Sequence, residues 1–197
     1  MRYSGKFYVL EGIDGTGKTE HATRLAKEFG LTHFFDPGST VQSNAIRKLL
    51  LEVEGMSQST RALLYTAARN EFVLQKLIPA LKAGQNVICE RYYFSTMVYQ
   101  HGALPWSVFN ELHSNMPKPD KVIFLDIDPE VAMRRDANPD EASIKGKGIE
   151  FFSEHNSRYR NVIKGHNSTI VNANPSLDEV YLNIVRVLAR ENPNLFG

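Results

Sequence analysis

The chain has 197 residues, with 23 Lys and Arg against 22 Asp and Glu, a formal net charge of +1 and 42% hydrophobic residues. That is the composition of one ordinary globular domain with a core of normal size, and the balanced charge excludes a protein devoted to coating nucleic acid or an anionic membrane. The single cysteine, Cys89, excludes an internal disulfide framework and a cysteine-built zinc cluster, and no apolar run approaches the about 20 residues of a membrane span.

In chain order, Arg2 and Lys6 precede a short apolar stretch that Glu11 interrupts, which makes a poor signal peptide. A soluble, cytoplasmic protein is therefore expected. Phe7-Tyr8-Val9-Leu10 reads as a strand. From Lys18 to Phe29, Ala22, Leu25, Ala26 and Phe29 share one helical face. Thr32-His33-Phe34-Phe35 is a weaker strand candidate. Residues 59–83 read as a long helix that Gly84 ends. Pro79 marks a kink or a join within it, since proline cannot donate a backbone hydrogen bond. Val87-Ile88-Cys89 and Val122-Ile123-Phe124-Leu125 are further strands, followed by a helix over 130–135. Residues 136–148 are polar and carry Pro139, Gly146 and Gly148. They read equally as a surface loop or as a mobile lid. Thr169-Ile170-Val171 is the last strand and 177–190 the last helix.

Short continuous apolar runs imply strands buried on both faces, and their alternation with helices implies an α/β fold with a parallel sheet. There is no repeat and no linker, so residues 1–197 are expected to form a single domain. Ligands of such sheets bind at the carboxyl ends of the strands.

The strongest local signal is Gly12-Ile13-Asp14-Gly15-Thr16-Gly17-Lys18-Thr19. It matches G-x-x-x-x-G-K-S/T between a strand and a helix, the setting of a phosphate-binding loop. Gly12, Gly15 and Gly17 let successive backbone N–H groups, with those of Asp14 and Thr16, ring a phosphate at a helix N-terminus. Lys18 can reach the β and γ phosphates of ATP, and the Thr19 hydroxyl can ligate Mg²⁺. The motif means a nucleoside triphosphate; it does not choose among kinase, motor and switch.

Glu90-Arg91-Tyr92 follows the third strand. A carboxylate there can hold or orient Mg²⁺ or its waters, and an Arg can fork onto a phosphate. A surface ion pair is the plainer alternative. Ser95, Thr96, Tyr99 and Gln100 can line a base and sugar pocket, or can belong to an ordinary helix with a packed Tyr.

Together these segments resemble the thymidylate kinases, a family of P-loop nucleoside monophosphate kinases. The likeness runs from Phe7 to about Leu188. Val9-Leu10-Glu11 and the loop after it are similar to the family's opening. Asp36-Pro37-Gly38-Ser39-Thr40 resembles its Glu-Pro-Gly segment, and Arg47-Lys48-Leu49-Leu50-Leu51 resembles its Arg-containing helix. Tyr65-Thr66-Ala67-Ala68-Arg69, Glu90-Arg91-Tyr92 with Ser95-Thr96 and Tyr99-Gln100, and Leu125-Asp126 with Pro129-Glu130-Val131 complete the series.

The resemblance implies a three-layer P-loop fold with a five-stranded parallel sheet and a lid over about 136–148. It implies transfer of the γ-phosphate of Mg-ATP to a deoxynucleoside monophosphate, above all dTMP to dTDP, by a homodimer. Tyr65 would stack on the pyrimidine, and Arg69, one turn later on the same helix face, would donate to a base carbonyl. Arg47 and Arg91 would grip the acceptor's 5′-phosphate. Thr96 would meet the base edge, Tyr99 would crowd the 2′ position, and Asp14 would accept from the 3′-hydroxyl. Asp36, Ser95 and Gln100 fall among the substrate-facing positions, and Glu90 near the metal. The interface is expected on the 59–83 helix and on 94–100.

The chain also departs from the pattern. Relatives carry a catalytic Arg in the phosphate loop or in the lid, but Gly15 occupies the loop position and 136–148 has no Arg. Arg135, at the lid's entrance, or Lys145 and Lys147 are expected to take the role. Glu90 stands where the family has Asp, and Phe35 where many relatives have Arg. Glu154 and Asn156 stand where relatives tend to be basic. A kinase for another nucleotide or nucleoside, or a weakly catalytic ATP-binding regulator, are the alternatives. The stretch Gly102-Ala103-Leu104-Pro105-Trp106 has no assignment.

Overall fold

The computed structural model describes residues 3–135 and 148–196. Everything is arranged around β1 (Phe7–Glu11), whose five residues are all buried. It pairs in parallel with β3 (Val87–Glu90) on one side and β4 (Lys121–Asp126) on the other. β2 (Thr32–Phe35) and β5 (Ser168–Asn172) form the edges, so the strand order is β2-β3-β1-β4-β5. All four pairings are parallel. The five expected strands are present, and β1, β3 and most of β4 are covered on both faces, as their unbroken apolar runs require. β5 departs from that reading. It is an edge strand with Ile170 half-exposed, which its Thr-Ile-Val sequence does not disclose.

α1 (Lys18–Phe29) begins at Gly17 and ends at Gly30, both in the left-handed region. It buries Ala22 and Leu25 against the sheet. On the same face lies α9 (Leu177–Glu191), tied to α1 by Arg24 to Asp178 and by the Tyr181 hydroxyl to Glu28. Ser176 and Glu179 close a capping box at its start, worth about 1 kcal/mol.

α2 (Val41–Glu52) is capped by Thr40, and α3 (Gln58–Phe72) by Ser57. α3 does not break before Pro79. It widens into one π-helical turn (Val73–Leu77), in which the Ile78 N–H reaches the Val73 carbonyl, and continues as α4 (Ile78–Lys82). Pro79 thus stands at the first turn of α4, where the π-helical turn joins it to α3.

α5 (Tyr93–Tyr99) and α8 (Ile149–Val162) pack together, while α7 (Pro129–Arg135) leads off β4. The short α10 (Pro193–Phe196) closes the chain over Tyr8 and Phe29. α6 (Trp106–His113) was not anticipated. Trp106 opens it and stacks on Phe109, with ring centres 5.7 Å apart. Phe94, Met97 and Val98 of α5 are buried, while Ser95, Tyr99 and Gln100 keep partial exposure.

Candidate active site

The carboxyl ends of β1, β3 and β4 converge on the phosphate loop. Lys18 is folded back into the loop. Its ammonium donates to the Ile13 carbonyl at 2.7 Å and to the Thr16 hydroxyl at 3.2 Å. Burial, with the Arg91 charge adding to it, pushes its pKa down to about 7 against the pull of Asp14, Glu11 and Glu90. Triphosphate oxygens would replace the two neutral partners with charged ones, a stronger class of hydrogen bond.

Gly15 explains one departure from the family pattern. Its φ is +79°, and a Cβ there would fall 2.6 Å from the Ala132 carbonyl oxygen of α7. No side chain fits without moving α7, so an Arg in the loop is sterically closed.

Arg91 follows β3 with a φ of +63°, the only described non-glycine residue with positive φ. That backbone costs roughly 1–2 kcal/mol. It turns the side chain onto the phosphate loop, where the guanidinium donates to the Gly12 carbonyl at 3.0 Å and pairs with the half-exposed Asp14. Ser95 Oγ and the Tyr159 hydroxyl each lie 3.2 Å from it. Hydrogen bonds to a charged group are worth about 1.5–3 kcal/mol each, which offsets the strain. The guanidinium carbon sits 5.5 Å from the centre of the Tyr99 ring.

Beneath Arg91 is Glu11, fully buried. It accepts from the Tyr92 N–H and the Ser95 hydroxyl at 2.7 Å each, and from the Tyr159 hydroxyl at 3.1 Å. Burial pushes its carboxyl up, against the Arg91 charge and these hydrogen bonds. Neither Glu11 nor Tyr159 was singled out from sequence. A charged residue closing the apolar run Val9-Leu10-Glu11 was the available signal.

Thr19 donates to Glu90 Oε2 at 2.6 Å, and His33 Nε2 lies 2.7 Å from Glu90 Oε1. Burial opposes the Glu90 charge, but the bonds from His33 and Thr19 and the Lys18 ammonium outweigh it, and the carboxyl lies below its ordinary value. A hydroxyl and a carboxylate side by side are hard oxygen donors. They suit Mg²⁺, which takes one or two protein oxygens and fills its shell with water and phosphate. No cluster of three His, Cys, Asp or Glu able to hold a metal occurs among the described residues.

A second cluster joins Asp36, just after β2, to Arg69 of α3, Thr96 of α5 and His113 of α6. Arg69, 1% exposed, donates from Nε to Asp36 at 2.5 Å and from its terminal nitrogens to His113 Nε2 at 3.0 Å, Thr96 Oγ1 at 2.8 Å and the Tyr92 carbonyl at 3.4 Å. His113 Nδ1 lies 2.7 Å from the Phe109 carbonyl. That nitrogen therefore carries the proton, and Nε2 accepts from Arg69. Thr96 and Gln100 also line a cavity of about 220 Å³ with Ala62, Met97, Trp106 and Phe109. Tyr65 is half-buried on α3, one turn before Arg69. Arg47 is exposed on α2, 3.3 Å from the Pro37 carbonyl and facing the Phe35 ring.

The structure thus brings Asp14, Lys18, Thr19, Glu90, Arg91, Ser95 and Tyr99 together at the loop. Asp36, Arg69, Thr96 and Gln100 gather behind them, with Arg47 at the rim.

The lid's entrance is arranged differently from expectation. Arg135 is engaged with the backbone after β5, donating to the carbonyls of Ala173 at 2.6 Å, Asn174 at 2.8 Å and Pro175. Residues 136–147, with Lys145 and Lys147, lie outside the described residues. Asn156 is buried and donates to Asp126 at 2.7 Å and to the Ile127 carbonyl at 2.8 Å, while Arg160 forks onto Asp126 at 2.8 and 2.9 Å. Glu154 pairs with Arg158 one turn on. At Asn156 and Glu154 the polar side chains hold α8 to its neighbours or to itself.

Comparison with known proteins decides among phosphate-loop families. The thymidylate kinase family description matches residues 10–184. The chain belongs to the thymidylate kinase family. A thymidylate kinase of Staphylococcus epidermidis (strain RP62A) is 33% identical over 199 residues, covering 92% of this chain and 98% of that protein. One of Coprothermobacter proteolyticus is 35% identical over 167 residues, covering 80% and 86%. A probable thymidylate kinase of Pyrococcus abyssi is 34% identical over 203 residues, covering 95% and 97%. The family match spans both clusters of the site, from the phosphate loop to Tyr159.

Proposed function

We propose that the protein transfers the γ-phosphate of Mg-ATP to dTMP, giving ADP and dTDP, within one kinase domain of which 136–148 is the lid. The observation that carries this reading is Arg91, a guanidinium turned by a strained backbone onto the phosphate loop. There it can meet an acceptor phosphate while Lys18 and the loop amides hold the donor.

The reaction asks for little covalent chemistry. Two mutually repelling anions must be aligned and the developing charge neutralised. An acceptor phosphate oxygen is already a nucleophile, so no general base is assigned. Lys18 and the N–H groups of residues 12–19 take the donor phosphates. Arg91 and Arg47 take the acceptor phosphate. Asp14 accepts from the 3′-hydroxyl, and Tyr99 fills the space a 2′-hydroxyl would need. Tyr65 stacks on the base. Arg69, with one N–H still to give, meets a base carbonyl, and Thr96 and Gln100 meet its edge. Asp36 and Ser95 fix the two arginines from behind. Thr19 and Glu90 would hold Mg²⁺, which would supply charge neutralisation on the phosphates. The charge absent from position 15 comes from Arg135 or from Lys145 and Lys147. Loss of turnover in Arg135→Ala or in the Lys145→Ala/Lys147→Ala double variant would support that assignment, and normal turnover in both would remove it.

Among the described residues no helix is long and apolar enough to cross a membrane, which fits an enzyme of the cytoplasm. A homodimer fits the apolar residues that α2 and α3 leave exposed.

The test is a coupled ADP-release assay with Mg-ATP and dTMP, dUMP, dCMP, dAMP, dGMP or thymidine. Turnover should be fastest on dTMP and should fall by about 10²–10³-fold in Lys18→Ala. Preference for another acceptor would redirect the base assignment to Tyr65, Arg69 and Thr96. ATP binding without turnover on any acceptor would overturn the kinase reading.

A further inference from the structure

Glu90 and His33 depart from simple expectation together. Glu90 is one methylene longer than the aspartate the family resemblance leads one to expect. Its two oxygens are divided. Oε2 receives the Thr19 hydroxyl at 2.6 Å, and Oε1 faces His33 Nε2 at 2.7 Å. β2 and β3 are parallel with His33 opposite Ile88 and Phe35 opposite Glu90, so the imidazole reaches the carboxylate diagonally across the edge pair. An ionised carboxylate only accepts, so Nε2 must carry a proton. Glu90 side-chain exposure is 11% and that of His33 is 23%, so the pair lies along the wall of the site and His33 is reached from its outer side.

The magnitudes favour a role in orientation. A free glutamate has three rotatable side-chain torsions, and fixing them costs conformational entropy. The Thr19 bond alone pins one oxygen and leaves the carboxylate plane free to turn. The His33 bond pins the second oxygen and removes that freedom. An aspartate at position 90 would not reach both partners from the same backbone.

We propose that His33 is a positioning residue for the cation site, holding Glu90 in the orientation in which it and Thr19 receive Mg²⁺ together with the nucleotide phosphates. The inference rests on the metal assignment of Thr19 and Glu90 made under the proposed function. It adds a residue on the edge strand β2, outside the short segments that carry the family resemblance.

The test uses the full chain and reads binding. Calorimetry gives the affinity for ADP without metal and with saturating Mg²⁺, and the ratio reports the metal's contribution. Without metal, wild type, His33→Leu and His33→Gln should agree within about twofold, because the loop amides and Lys18 hold the phosphates. With Mg²⁺, the gain should shrink by about tenfold or more in His33→Leu, the usual cost of losing a hydrogen bond behind a metal ligand. It should return in His33→Gln, whose amide nitrogen can replace Nε2 as donor. In a Glu90→Asp background the His33→Leu change should add less than about twofold, since the shorter side chain has already let go of β2. An unchanged ratio in His33→Leu overturns the proposal. So does failure of His33→Gln to restore it, because His33 would then act by packing β2. These readouts need no acceptor, so they stand apart from the assay of the kinase reading.

Discussion

Arg91 concentrates the residue-scale argument. Its left-handed backbone is strained, yet its side chain gains a carbonyl, a carboxylate and two hydroxyls. The strain is local and the compensation comes from the phosphate loop, α5 and α8, so the position is held by tertiary structure. Lysine would keep the charge and lose the fork, because one ammonium cannot serve the Gly12 carbonyl and Asp14 with the same geometry. Arg91→Lys should therefore lower kcat on the order of 10²-fold while leaving metal-free ADP affinity within a fewfold of wild type. Steady-state kinetics beside calorimetry separate the two. Equal losses in both would mean that Arg91 serves the donor site, and the acceptor assignment would fall.

At the scale of the element, α6 is the instructive case. It presents His113 as a neutral acceptor to Arg69, and burial, with the Arg69 charge second, pushes that histidine down to about 4. Unfolded histidine titrates near 6.5. Below that pH the unfolded chain takes up a proton that the folded chain refuses, so stability falls from about pH 6.5 down to about pH 4 and then levels. The full drop from this residue is about 3 kcal/mol. His21 on α1, likewise pushed down to about 4 by burial and by Arg135, adds a parallel loss. Urea unfolding at several pH values should show the stabilities of wild type and His113→Gln converging as pH falls. Parallel curves would mean that His113 takes up its proton equally readily in the folded and unfolded states, so that its burial costs it nothing.

The same helix shows why some of the fold was illegible in the sequence. α6 buries only Phe109 and His113, and one of that pair is polar, while Trp106, Val108 and Leu112 are exposed. At eight residues the helix is also shorter than the window over which an apolar period can be read. The π turn at 73–77 hides because its residues have ordinary helical dihedrals and differ only in hydrogen-bond span. Site residues divide by the same logic. The phosphate loop is contiguous and could be read directly. The Glu11–Ser95–Tyr159 cluster is drawn from β1, α5 and α8, and Arg69–His113 from α3 and α6, so only the fold assembles them.

For the whole molecule, the question is what a second copy would contribute. α2 and α3 pack on one another, and with the π turn that continues α3 they leave Leu49, Leu51, Leu63 and Leu74 between 42% and 63% exposed. Leu63 and Leu74 are about three turns apart, so they share a face. A two-fold interface uses the same patch on both copies, and a stable one buries about 1,200–2,000 Å² in total. Four leucines on two adjacent helices can supply its apolar centre. Leu63 and Leu74 are not among the side chains gathered at the loop, so replacing them is expected to leave the chemistry in place. Sedimentation should find wild type as a dimer and Leu63→Lys/Leu74→Lys as a monomer that keeps its turnover on dTMP within a fewfold. A monomeric wild type would remove the interface. A folded monomeric variant without activity would mean that the partner copy reaches the site, and the residues given to the acceptor would have to be sought on both chains.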